Sequence, residues 1–189
     1  MVHALKLAAA GLLLAASARA DLQLTPRLVD YELDGVKFKQ LVFSDGSGKD
    51  ITYSPPTGWE YSGSATKLSL RPPKKPQAEA TVTKVTLSRP GVFDDESIKK
   101  ITDEALASVP SSSTNVTLVS QEKNPLMIEK KETFLVTIAY SFYGENYKRS
   151  IMFLNRSKEQ LRFELVSREA DFKDLQKAFL GSQFTWQNL

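Results

Sequence analysis

The chain has 189 residues, with 25 Lys plus Arg against 22 Asp plus Glu and a single histidine. It contains no cysteine, and the histidine, His3, lies in an N-terminal segment with the pattern of a secretory signal. Beyond that segment the composition excludes Ser-His-Asp and Cys-His catalysis, thiolate or imidazole zinc sites, haem bound through histidine, and disulfides.

Residues 1–20 predict a signal peptide. Lys6 supplies the positive charge, residues 7–16 are apolar, and Ala18-Arg19-Ala20 is a small-x-small cleavage site. The apolar stretch is too short to span a bilayer, and no cysteine follows it for lipidation. We expect cleavage after Ala20 and a periplasmic or secreted protein that is soluble rather than membrane-spanning. Cleavage would leave 23 basic and 22 acidic side chains, a balance that gives no support for nucleic-acid binding.

The first half of the remaining chain predicts strands. Short apolar runs alternate with turn residues, which is typical of antiparallel pairing. Residues 71–76 cannot form a central strand because proline donates no ladder hydrogen bond. We interpret residues 21–35 as a loosely held N-terminal arm and residues 36–189 as a single domain. The strand signals in this half are Val36–Phe43, Ile51–Ser54, the runs around Tyr61 and Leu68, and Ala80–Leu87.

The hydrophobic period then becomes helical and later returns to that of strands. Acidic residues 94–96 suit a helix N-terminus, and Pro110 ends the helical pattern. A second helix is predicted from Asp171 to Gly181. The strands predicted between the helices are Asn115–Ser120, Thr133–Tyr143, Tyr147–Leu154 and Leu161–Leu165, with a hairpin turn at residues 144–146. Two helices must cover at least one face of the sheet, so the predicted class is α+β with an antiparallel or mixed sheet.

The order of elements resembles a known family. The proline corner YSPPTGW at Tyr53–Trp59, the meander at 133–167 and the closing DFKDLQKAFLGSQFTW at 171–186 are similar to the PsbP photosystem proteins, the Mog-type Ran-binding proteins and the bacterial DcrB-like proteins. The resemblance covers about Phe38–Trp186. It implies an antiparallel sheet sandwiched by helices and a role in binding other proteins rather than in catalysis. The chain departs from the family in lacking both the lipoprotein cysteine and histidines beyond the signal, so no functional residue is transferred by position.

A basic, proline-stiffened loop is the first candidate contact surface. Lys67, Arg71, Lys74 and Lys75 place four positive charges within nine residues. Such a loop suits an acidic protein or an anionic envelope surface, and the alternative is solubilising surface charge. Tyr143 and Tyr147 flank the predicted hairpin turn and are the second candidate. They would serve either as exposed contacts or in core and cross-strand pairing.

Three other patterns favour structural interpretations. Ser97 and Lys100 match the S-x-x-K spacing of penicillin-recognising enzymes, but the companion motifs are absent, which favours a solvated first helical turn. Asp45–Asp50 could hold Ca²⁺ through oxygens, yet it lacks EF-hand spacing and favours a hairpin turn. Asp94–Glu96 is more simply explained by helix capping than as a metal cluster.

The sequence therefore predicts a non-catalytic protein-binding or assembly-support module of the cell envelope. We expect a monomer that binds another envelope or secreted protein and needs no cofactor or metal. The alternative is a small hydrolase that uses paired Asp or Glu side chains. That alternative requires two carboxyl groups in a cleft, about 5 to 9 Å apart.

Overall fold

The computed structural model describes residues 21–45 and 48–188, and within them the chain forms eleven strands and two helices. The predicted signal peptide and its cleavage site lie outside the described residues. The strands of the first half are β1 (Arg27–Leu33), β2 (Val36–Ser44), β3 (Asp50–Tyr53), β4 (Glu60–Gly63), β5 (Lys67–Arg71) and β6 (Glu79–Thr86). The later elements are α1 (Asp95–Ala107), β7 (Thr114–Lys123), β8 (Thr133–Phe142), β9 (Glu145–Arg156), β10 (Glu159–Arg168), α2 (Glu169–Gln183) and β11 (Gln187–Asn188).

These strands form two antiparallel sheets. The larger has the order β4-β5-β6-β10-β9-β8-β7, and the smaller has the order β1-β2-β3-β11. All neighbouring strands in both sheets run antiparallel. The predicted α+β class is confirmed, and of the two sheet types left open the antiparallel one is observed.

The two helices cover opposite faces of the large sheet. Successive side chains of a strand point to opposite faces, so Ile151 packs in the cluster with α1 while Met152 packs in the cluster with α2. We call these the α1 face and the α2 face. The small sheet also packs on the α2 face, where Trp186 contacts both sheets. Its ring centroid lies 5.4 Å from Phe43 of the small sheet and 5.3 Å from Phe163 of the large sheet.

The N-terminal segment is not the loosely held arm that the sequence suggested. Leu22 and Leu24 are fully buried in the core, and residues 27–33 pair with β2 in a regular antiparallel ladder. The backbone N–H of Leu24 donates to the Ala65 carbonyl at 3.1 Å. Two leucines that alternate with polar residues are enough to anchor this short strand-like segment, so it belongs to the folded body.

Two predicted boundaries also need correction. The β8–β9 turn consists of Tyr143 and Gly144, with φ of 48° and 78°, rather than residues 144–146. Positive φ at both central residues is what a two-residue hairpin requires. Gly181 does not stop α2, which continues to Gln183, and the Ser182 hydroxyl donates to the Phe179 carbonyl at 2.7 Å inside its last turn.

The acidic start of α1 is confirmed. Asp94 is the N-cap, and its carboxylate accepts a hydrogen bond from the Ser97 backbone N–H at 2.9 Å. Hydrogen bonding from Ser97 to the Asp94 carboxylate holds the pKa of Asp94 below its usual range. Ser97 therefore lies in a capped first helical turn. Neither helix in the described part of the chain is long and apolar enough to cross a bilayer.

Candidate ligand groove

A groove of about 770 Å³ lies on the α1 face, beyond the C-terminal end of α1. The strand register places its floor residues side by side, because Thr81 pairs with Glu164 and Val166 pairs with Arg149. The loop of residues 72–78, between β5 and β6, forms one wall. The helix therefore covers only part of this face, and the uncovered part is bounded by a proline-rich loop.

The structure brings three of the four predicted basic residues to the groove. Arg71, Lys74 and Lys75 line the groove, whereas Lys67 does not. The Lys75 amine lies 2.6 Å from the Asp171 carboxylate, and the Lys67 amine lies 4.0 Å from Glu79. Arg71 and Lys74 have no ion pair among the described residues, so they are the cations available at the rim.

Aromatic side chains form the floor near the β8–β9 hairpin. The rings of Tyr140 and Tyr147 stack at 5.7 Å with an interplanar angle of 15°, and Phe142 meets Tyr147 edge-on. The Tyr147 hydroxyl donates to Gln77 Oε1 at 3.0 Å, which ties this floor to the proline-rich wall. Burial raises the pKa of Tyr140 above its usual range, so its hydroxyl remains a neutral donor.

Tyr143 and Tyr147 have different positions. Tyr147 lies in the groove and takes part in a cross-strand stack. Tyr143 is 85% exposed at the hairpin tip and contacts Phe142 at a centroid distance of 4.4 Å. Of the two predicted contact tyrosines, the structure brings only Tyr147 into the groove.

The ion pair between Arg149 and Glu164 crosses the groove floor, with Nε and Oε1 3.2 Å apart. Arg149 also donates to the Ser108 hydroxyl at 2.7 Å, so it links the floor to the end of α1. Neither Arg149 nor Glu164 was predicted from the sequence as a site residue. The available signal was the charged face of β10, where Arg162 and Glu164 alternate with buried apolar residues.

Three carboxylates, those of Glu60, Glu79 and Glu164, line the groove, so it contains the carboxylate pair that the hydrolase alternative requires. Glu79 and Glu164 occupy diagonal positions on adjacent strands, for which the Cβ atoms are typically about 7–8 Å apart. Glu79 faces Lys67 and Glu164 faces Arg149, so both carboxylates of this diagonal pair have cation partners in the structure.

The other candidate patterns do not contribute to the groove. Asp50 is paired with Arg27 at 2.6 Å, and residues 46 and 47 of the Asp45–Asp50 loop lie outside the described residues. No group of three or more His, Cys, Asp or Glu side chains that could hold a metal forms within residues 21–45 and 48–188.

A separate charged cluster holds the N-terminal segment against the large sheet. Lys84 is almost fully buried, and its amine lies 3.1 Å from Asp21 and 3.9 Å from Glu159. Lys84 also donates to the Leu22 carbonyl at 2.6 Å. Burial, together with the adjacent Asp21 carboxylate, raises the pKa of Glu159 to about 7, and the hydrogen bond with Glu159 lowers the pKa of Asp21.

This cluster predicts a pH effect on stability. Since the pKa of Glu159 is higher in the folded protein than its ordinary value of 4.5, the folded state binds that proton more tightly and gains stability as pH falls through 7 toward 4.5. As the pH falls from about 8 to 5, the free energy of unfolding of the wild-type protein should therefore rise relative to that of the Glu159→Gln variant. Urea unfolding at several pH values measures the difference, and a difference that is constant with pH would contradict the prediction.

Comparison with solved structures finds three similar proteins. Cyanobacterial PsbP from Synechocystis sp. PCC 6803 matches with a TM-score of 0.51 and 12% identity, over 97% of this chain and 99% of that one. PA94 from Pseudomonas aeruginosa, a protein of unknown function, matches with a TM-score of 0.45 and 13% identity, over 82% of this chain and 92% of that one. LpqN, involved in cell envelope biogenesis of Mycobacterium tuberculosis, matches with a TM-score of 0.45 and 12% identity, over 88% of this chain and 90% of that one.

No protein-family model and no curated protein sequence matches the chain. The likeness to PsbP extends over nearly the whole of both chains, and at 12% identity it establishes a common fold. The chain therefore has the PsbP fold that the sequence resemblance implied.

Proposed function

We propose that the protein is a non-catalytic module of the cell envelope that binds a partner protein through the groove. The observation that carries the proposal is a stiff, basic, proline-rich wall beside a floor of stacked tyrosines. Aromatic and proline side chains offer apolar contact area that loses little entropy on binding. The unpaired cations at the rim, Arg71 and Lys74, favour a partner with an acidic segment.

The predicted signal peptide supports an extracytoplasmic location, periplasmic or secreted. LpqN, one of the proteins of similar fold, is involved in cell envelope biogenesis, which is consistent with an envelope role here. We further propose that the protein acts as a monomer without a cofactor.

Charge reversal at the rim tests the proposal. Affinity capture from an envelope extract with the Arg71→Glu/Lys74→Glu variant should recover at least about tenfold less partner than wild type, because about 1.4 kcal/mol of lost interaction corresponds to a factor of ten. The control is Lys173→Glu/Lys177→Glu, which makes the same change in net charge on exposed positions of α2. Equal recovery by the two variants would dismiss the groove rim as the binding surface.

The hydrolase alternative remains testable because Glu79 and Glu164 share one face of the groove. We expect purified protein to release no reducing sugar from envelope polysaccharide. If hydrolysis occurred and Glu164→Gln or Glu79→Gln abolished it, catalysis would replace binding as the proposed function.

A further inference from the structure

A second cavity, of about 400 Å³, lies at the C-terminal end of α2 and has no lining residue in common with the groove. It is formed by the end of α2, by residues 127–130 and by β11. In the smaller sheet, β11 is the edge strand beside β3. We call it the C-terminal cavity.

Buried polar groups without partners are concentrated in the residues that line this cavity. Gln183 is 1% exposed, and neither its side-chain nitrogen nor its side-chain oxygen has a hydrogen-bond partner among the described residues. The indole nitrogen of Trp186, also 1% exposed, and Oε1 of Glu129 are in the same situation. A buried polar group without a partner is destabilising, and several at one place need a functional explanation.

The Glu129 carboxylate is held in place by its other oxygen. Oε2 lies 3.1 Å from Arg156 Nε and 3.0 Å from Lys131 Nζ. These two cations balance the buried negative charge and fix the carboxylate orientation. Oε1 is then a positioned acceptor that has no hydrogen-bond partner among the described residues.

The backbone that carries Glu129 has an unfavourable conformation. Glu129 and Lys130 have φ of 52° and 61°, and the Lys131 N–H closes a tight turn on the Ile128 carbonyl at 2.8 Å. A turn with positive φ at both central positions normally contains Asn-Gly. Backbone strain of this kind is typical of binding sites, where it aims a particular side chain. Here the strained residue is the one that supplies the unused carboxylate oxygen.

We propose that the C-terminal cavity binds an amide group of a peptide. Trp186 Nε1–H and the Gln183 amide nitrogen are donors for a carbonyl oxygen, and Gln183 Oε1 and Glu129 Oε1 are acceptors for an amide N–H. A carboxylate ligand would be repelled by Glu129, and an ammonium ligand would leave the indole donor unpaired. A neutral amide offers both a carbonyl acceptor and an N–H donor, so a single group of the ligand can pair with the donors and the acceptors together.

The surroundings favour a peptide as the carrier of that amide. Met127 and Phe184 also line the cavity and are 58% and 66% exposed, so they can contact an apolar side chain next to the amide. The edge strand β11 lies alongside, and an unpaired strand edge can bond an extended chain. The polar atoms are shielded from solvent in this structure, so binding requires side chains around the cavity to move.

The two tryptophans of the chain allow a direct test by NMR. N-acetyl-leucinamide should shift the indole N–H resonance of Trp186 with an affinity of about 1–10 mM, as expected for so small a probe. The resonance of Trp59, which stacks on Phe179 and is not among the residues that line the cavity, should not move. N-acetyl-leucine, with its carboxylate, and isoamylamine, with its ammonium, should shift Trp186 at least tenfold less. Absence of a shift with the amide, or equal shifts with all three probes, would overturn the proposal.

Two glutamine variants test whether Gln183 provides the unpaired groups. Gln183→Leu should abolish the probe-induced shift and leave the melting temperature unchanged or higher, because it removes buried groups without partners. The matched control is Gln160→Leu, since Gln160 is buried but bonds Asn155 and Arg162 at 2.9 Å each. This control should lower the melting temperature and keep the shift. An unchanged shift in Gln183→Leu, or a destabilisation equal to that of the control, would overturn the proposal.

Discussion

Trp186→Ala is expected to lower the free energy of unfolding by about 3–5 kcal/mol, the range for removal of a large buried aromatic side chain. The indole contacts three aromatic rings, those of Phe43, Tyr53 and Phe163, with centroid distances of 5.4, 5.6 and 5.3 Å. Because these rings belong to both sheets, the substitution leaves a cavity at the contact between the sheets that neither sheet can fill alone.

Phe184→Ala is the matched control for this substitution. Phe184 lies two residues from Trp186, is also aromatic, and is 66% exposed. Its removal should change the free energy of unfolding by no more than about 0.5 kcal/mol. Urea unfolding followed by far-UV circular dichroism measures both variants without depending on tryptophan fluorescence. A loss of less than about 1 kcal/mol for Trp186→Ala would mean that the two sheets are held together mainly by other contacts.

Local patterns in the sequence predicted much of the fold. The acidic run before α1 predicted the helix start because capping depends on residues three positions apart, and Asp94 bonds Ser97 as expected. The pattern of Thr133–Tyr143 predicted a strand, and β8 spans Thr133–Phe142 and is buried along most of its length. These features depend on neighbouring residues, so a single sequence is sufficient to find them.

Features that depend on tertiary packing were not predictable in the same way. Residues 21–26 contain only two anchoring leucines, and their burial depends on partners such as Lys84, 62 positions away from Leu22. Glycine favours helix ends, so the sequence predicts that α2 ends at Gly181, yet the helix continues to Gln183. In both places, packing against the sheets outweighs the local preference.

For the groove, too, local features were predictable from the sequence and tertiary neighbours were not. The sequence identified the basic loop and Tyr147, because charge runs and aromatic residues near turns are visible along the chain. It did not show that Lys75 is neutralised by Asp171, 96 positions away, nor that Glu79 and Arg149 belong to the same floor. Strand order decides those neighbours, and the order β6-β10-β9 follows from non-local pairing.

Leu24→Ala is expected to lower the free energy of unfolding by about 2–5 kcal/mol, as for other fully buried leucines. Leu24 lies in the core cluster of the α2 face together with Leu22. A loosely held arm would lose almost nothing on the same substitution, so the measurement distinguishes the two descriptions of residues 21–35. Leu28→Ala serves as the control, because Leu28 belongs to the same segment but is 48% exposed and should change stability only slightly.

Gly63→Ala tests the packing of the N-terminal segment against β4, with the substitution placed on β4. A Cβ atom at Gly63 would lie 2.5 Å from the Leu24 carbonyl oxygen, which is backbone and cannot rotate away. The added methyl group should therefore push residues 24–26 off the sheet and increase amide exchange at Leu24, whose N–H bonds the Ala65 carbonyl. Suppose that Gly63→Ala changed neither amide exchange nor the free energy of unfolding, while Leu24→Ala lowered that free energy strongly. Leu24 would then contribute through a packing arrangement different from the one described.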